Sequence, residues 1–96
     1  MEFKILLTKA AKQACDDLAR TDPGKLKRVH KTLGLLQTNP KHPSLQTHEY
    51  QSLKGPHGEK VFEAYVQNKT PAAFRVFWYY GPTKETITVV AVTPHP

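Results

Sequence analysis

The sequence predicts an α+β fold in which an antiparallel helical hairpin covers one face of a mainly antiparallel sheet. Three observations carry that prediction. Apolar residues recur at helical spacing up to Leu36, then switch to a period of two after Thr47. The helical and alternating runs are segregated, which argues against alternating βαβ units. The chain has 96 residues, too few for two independent cores, so a single domain spanning 1–96 is expected.

The elements follow in order. Phe3 to Leu7 is an apolar run ending at Thr8, a helix N-cap residue type, and reads as a short first strand. From Lys9 to about Arg20, Ala11, Ala14, Cys15 and Leu18 mark one helix face, with Lys12 and Asp16 paired outside it. Thr21-Asp22-Pro23 supplies a cap followed by proline at a first helical position, and Leu26, Val29, Leu33 and Leu36 form the second stripe. Asn39-Pro40 closes that helix, and Lys41–Thr47 reads as loop. Four strands are then expected, at Glu49–Lys54, Glu59–Gln67, Ala72–Tyr80 and Thr86–Thr93. Gly55-Pro56-His57-Gly58, Asn68-Lys69-Thr70-Pro71 and Gly81-Pro82 separate them. The last strand is β-branched almost throughout and reads as buried on both faces.

Composition limits the function classes. The formal net charge is +6 and the pI about 9.6, which suits a polyanionic partner such as nucleic acid, or an acidic protein. Cys15 is the single cysteine, so an intrachain disulfide and a cysteine-rich zinc site are excluded, and a reducing cytoplasm is expected. No apolar run approaches the roughly 20 residues of a membrane span, so no membrane partner is expected. The start, Met1-Glu2-Phe3-Lys4, does not read as a signal peptide. His42, His48 and His57 fit no metal-ligand spacing, and His30 joins them as surface residues.

The chemistry-bearing stretch is Ala72–Tyr80, "AAFRVFWYY", where Arg75 lies among aromatics. Side chains alternate along a strand. Phe74, Val76 and Trp78 then share one face with Phe62, Ala64 and Val66, and this apolar set belongs under the helices. Arg75, Phe77 and Tyr79 share the other, open face with Glu63 and Tyr65. A cation under the helical layer would be unpaired and costly. On the open face it lies opposite or diagonal to Glu63. Two readings of that pair remain: an ion pair that keeps the face soluble, or a cationic and aromatic hollow that grips phosphate and base.

Four segments carry a resemblance: "SLKG" (52–55), "VFEAYV" (61–66), "FRVFWYY" (74–80) and "ITVVAVTPHP" (87–96). They resemble the RelE/ParE superfamily, the toxins of bacterial toxin–antitoxin pairs, and nearly the whole chain follows that family's element order. The RNA-cleaving branch, with its YoeB- and YafQ-like members, cuts messenger RNA on the ribosome without a metal, whereas the ParE branch poisons DNA gyrase. The resemblance implies a ribosome-dependent endoribonuclease that breaks the phosphodiester through the 2′-hydroxyl, with no cofactor. The alternatives it leaves are a gyrase inhibitor acting by protein binding and a non-toxic homologue that only binds a partner. The implied partners are a cognate antitoxin, the ribosome and messenger RNA, and a second copy of the chain.

The resemblance also implies roles. Arg75 matches the arginine that contacts the scissile phosphate, and His95 matches a functional histidine near the carboxyl end. Lys54 is the candidate phosphate contact of the "LKG" turn. Glu63 and Tyr65 stand where some relatives carry lysines, so Glu63 is read as a second proton carrier or as the residue orienting Arg75. Tyr65, Phe77 and Tyr79 are the candidate base-stacking residues. The expected catalytic set is therefore Arg75, His95 and Glu63, and Arg75→Ala and His95→Ala are expected to abolish toxicity with the fold intact.

Overall fold

A computed structural model of the protein describes residues 2–95; Met1 and Pro96 lie outside the described residues. The order is β1 (Lys4–Leu7), α1 (Lys9–Thr21), α2 (Pro23–Thr38), a short 3-10 turn (Pro43–Leu45), β2 (His48–Lys54), β3 (Lys60–Tyr65), β4 (Phe74–Tyr80) and β5 (Thr86–Pro94). The five strands form one sheet in the order β1-β5-β4-β3-β2, with β1 parallel to β5 and the remaining pairs antiparallel. The predicted α+β class and the helical hairpin are therefore present. Among the described residues no helix is long and apolar enough to cross a membrane.

Local chemistry sets the helix starts. The Thr8 hydroxyl oxygen accepts from the Ala11 N–H at 3.2 Å and donates to the Val90 carbonyl, which ties the start of α1 to β5. Asp22 ends α1 and caps α2, its carboxylate accepting from the Lys25 N–H at 3.1 Å. Ala11, Cys15 and Leu18 of α1 and Val29 and Leu36 of α2 bury against Ala64, Val76, Trp78, Ile87, Val89 and Val92. Both helices thus lie on the predicted sheet face. The loop reading of Lys41–Thr47 missed one core anchor: Leu45, on the 3-10 turn, is fully buried in the same cluster.

The other face is not open. Val61, Phe77 and Tyr79 form a second small core, covered by Tyr50, Val90 and Ala91. Two irregularities of strand register accompany it. One lies in β2 between Glu49 and Lys54, and Tyr50 comes to 4.9 Å from Phe77, ring centre to ring centre. The other lies in β5. Phe77 pairs with Ala91 but Trp78 pairs with Val89, so Val90 is an extra residue. The bulge explains why the last strand reads as buried on both faces. Ile87 and Val89 face the helices before it, and Val92 faces them after it.

Candidate functional site

The bulge at Val90 decides where the chain's last histidine goes. Ile87 and Val89 are opposite Tyr80 and Trp78, on the helical side. Unbroken alternation would put Thr93 and His95 on that side too. The extra residue reverses the phase. Thr93 is opposite Arg75, and His95, two positions on, points to the Arg75 side. The His95 N–H donates to the Ala73 carbonyl at 2.8 Å, so the ladder continues to that point.

Glu63 is the centre of the site. It is 1% exposed, lies opposite His48 on β2 and opposite Phe77 on β4, and is therefore diagonal to Arg75. Three basic side chains converge on its carboxylate. His95 Nδ1 makes a close contact with Oε2. His48 Nε2 is 2.7 Å from Oε1. Arg75 Nε is 3.6 Å from Oε2, a charge contact that is too long for a hydrogen bond and leaves that N–H without a partner. A buried carboxylate without such company would be strongly unfavourable.

Arg75 is held as firmly as its partner. It is 7% exposed. Its Nη1 donates to the Gln67 carbonyl at 2.6 Å and to the Phe74 carbonyl at 3.1 Å. The guanidinium carbon lies 3.7 Å from the centre of the Tyr65 ring, a cation–π contact. The sequence placed this charge on a solvent-open face. The structure corrects that: Arg75 is buried, and its charge is met by a carboxylate, an aromatic face and two carbonyls.

The two imidazoles, by contrast, are accessible. The His48 and His95 side chains are 49% and 48% exposed, over a carboxylate that is hidden. His48 also lines a cleft of about 490 Å³ whose rings, Phe62, Trp78 and Tyr80, belong to the helical side of the sheet, across from the Glu63 carboxylate. Burial pushes the Tyr80 phenol above its ordinary range. Among the described residues no cluster of three or more His, Cys, Asp or Glu side chains is arranged to hold a metal ion.

Of the expected site residues, Arg75, Glu63, His95 and Tyr65 come together. Three do not. Phe77 and Tyr79 are 2% and 7% exposed, so their rings have no free face to offer a base; they pack the second core. Lys54 pairs with Lys60, three positions along β3 from Glu63, about 10 Å away and in the opposite phase of the pleat. Its ammonium lies 3.7 Å from Glu49. Sequence reasoning missed His48, which it left on the surface because the strand was started one residue late. The alternation His48, Tyr50 across "THEY" was the available signal, placing both on one face.

No family model matches the chain, and no curated protein does. Solved structures do. A YoeB/ParE toxin from Agrobacterium tumefaciens superposes with a TM-score of 0.74 at 13% identity, over 98% of this chain and all of that one. The chain has the RelE/ParE fold. The same RelE/ParE fold appears in an archaeal RelE–RelB complex from Pyrococcus horikoshii OT3, with a TM-score of 0.70 at 15% identity over 98% of this chain and 96% of that one. A YoeB dimer from Staphylococcus aureus gives 0.66 at 11% identity, each chain being covered completely. The RelE/ParE fold therefore extends over the whole described chain and encloses the Glu63 site within it.

Proposed function

We propose that this protein is the toxin of a toxin–antitoxin pair and a metal-independent, ribosome-dependent endoribonuclease that inhibits translation. The observation that carries the reading is the contact of the half-exposed His95 with the buried Glu63, beside the Arg75 cation. Cleavage through the 2′-hydroxyl needs a proton acceptor, a positive field at the phosphorane and a proton donor for the leaving oxygen. With Nδ1 turned to Glu63, the other ring nitrogen of His95 is free to take the 2′-hydroxyl proton. The 2′ oxygen attacks phosphorus, the bond to the 5′ oxygen breaks, and that oxygen takes a proton from water, while His95 later returns its own proton to solvent. The products are a 2′,3′-cyclic phosphate and a 5′-hydroxyl. Arg75 lends its charge in a site shielded from water, where electrostatic stabilisation acts most strongly.

The net charge of +6 suits an RNA backbone and an acidic antitoxin. The solved structures that share the fold include a complex of RelE with RelB and a dimer of YoeB, which support an antitoxin and a second copy of the chain as partners.

The test is expression of the chain without its antitoxin, read by growth and by primer extension on ribosome-bound message. Growth arrest with cut messages, both lost in His95→Ala, is the expected result. A His95→Ala chain that remains fully toxic overturns the assignment. Uncut messages accompanied by DNA breaks would point to gyrase instead.

A further inference from the structure

The two histidines on Glu63 are not equivalent, and the difference is set by what their second nitrogens touch. His48 Nδ1 lies 2.8 Å from the Gln46 carbonyl oxygen. A carbonyl only accepts, so Nδ1 must carry a hydrogen and donate it. The opposite nitrogen, Nε2, lies 2.7 Å from Glu63 Oε1. An ionised carboxylate also only accepts, so that nitrogen must donate as well. His48 thus spends both ring nitrogens inside the protein. Gln46 holds a left-handed backbone, φ 48°, at the exit of the 3-10 turn, and that turn presents its carbonyl to the ring. A side chain other than glycine there is held at some conformational expense.

His95 is the complement. Its Nδ1 faces Glu63 Oε2, and among the described residues its other ring nitrogen has no partner. A carboxylate beside Nδ1 sets the tautomer, leaving Nε2 bare and accessible.

We infer that His48 is a positioning residue: a double donor that clamps Glu63 Oε1 to the Gln46 turn, so that Oε2 is presented to His95 and fixes the tautomer of the one imidazole that exchanges protons with substrate. The charged and titratable groups around the clamp are Glu63, Arg75 and His95, with the Tyr65 ring edge-on to His48 at 6.1 Å between centres. The catalytic consequence rests on the ribonuclease reading above. The proton arrangement does not.

Two substitutions separate the two halves of the clamp. The amide of His48→Gln reaches the position of Nε2 and can donate to Glu63. The shorter amide of His48→Asn matches Nδ1 and can donate only toward Gln46. The intact chain, labelled with nitrogen-15 in histidine, is examined by NMR through its ring nitrogens. Two hydrogen-bearing nitrogens are expected in His48, and one bare nitrogen, Nε2, in His95. That tautomer preference should survive in His48→Gln and weaken in His48→Asn. Message cleavage should fall in His48→Asn by on the order of 10²-fold, the lower end of what a positioned acid or base contributes, and should be largely restored in His48→Gln. A bare nitrogen in His48, or a His95 tautomer indifferent to His48→Asn, overturns the clamp. Cleavage by His48→Asn at the unsubstituted rate overturns the positioning role alone. A chain that cuts no message overturns the ribonuclease reading, and the spectra still decide the clamp.

Discussion

The guanidinium carbon of Arg75 lies 3.7 Å from the centre of the Tyr65 ring, and the two residues are directly opposed on neighbouring strands. Cross-strand neighbours on one face meet in this way. Here the meeting buries a cation that would otherwise be expected in solvent.

The first prediction follows from that burial. Arg75→Ala was expected from the sequence to leave the fold intact. It removes the counter-charge of a carboxylate that is 1% exposed and strips two carbonyls of their donor. The expected loss is about 3 kcal/mol, the lower end for breaking a buried pair, because the two imidazoles remain on Glu63. Arg75→Lys should recover little, since an ammonium has neither the plane that stacks on Tyr65 nor the fork that reaches Gln67. Tyr65→Phe should be nearly neutral, whereas Tyr65→Ala should cost about 2 kcal/mol. Urea unfolding followed through Trp78 fluorescence measures each. His95→Ala, at a half-exposed position, is the substitution that separates activity from stability.

A second prediction concerns the bulge. Deleting Val90 would only regularise the strand, but deleting Pro94 shortens β5 by one step beyond the bulge and moves His95 into register with Phe74, on the helical side and away from Glu63. The proposed cleavage should vanish in a chain whose circular dichroism keeps its helical signal. Retained cleavage would show that His95 does not act from the Arg75 side.

A third concerns backbone freedom. Gly34 is exposed inside α2, and a Cβ added there meets nothing within 4 Å. Gly34→Ala should stabilise by about 0.5–1 kcal/mol, because glycine loses more freedom than alanine on entering a helix. Gly58 also has open space around it but adopts φ +86°. Gly58→Ala should destabilise by about 1 kcal/mol, because L side chains disfavour that backbone. Midpoints of urea unfolding at unchanged slope would confirm both signs.

A fourth is a pH dependence. Burial, with a smaller contribution from Asp16, pushes the Cys15 thiol above its ordinary value of 9.0. The folded protein therefore favours the neutral thiol. The resulting stability is fully present below pH 9.0 and is lost as pH rises through the higher folded value. Native Cys15 should react with iodoacetamide far more slowly than the urea-unfolded chain at pH 8. The stability difference between the unsubstituted protein and Cys15→Ala should shrink as pH is raised past that range.

Alternation and helical spacing were enough to place Glu63, Tyr65 and Arg75 on one sheet face and the apolar stripes of both helices on the other. Those are local periodicities, set by the geometry of each element alone. How the other residues reach that site is not written in those periodicities: the resemblance named His95, but not the path that brings it there. His95 reaches Glu63 because one extra residue, Val90, reverses the phase of β5, and a bulge is decided by strand pairing rather than by the residue that forms it. His48 enters because β2 begins one position earlier than its composition suggests, at the edge of the pairing with β3. Phe77 and Tyr79 are covered because Tyr50 of β2 and Val90 and Ala91 of β5 pack against them. Each of these depends on contacts between segments far apart in the chain, and no window of neighbouring residues carries that energy.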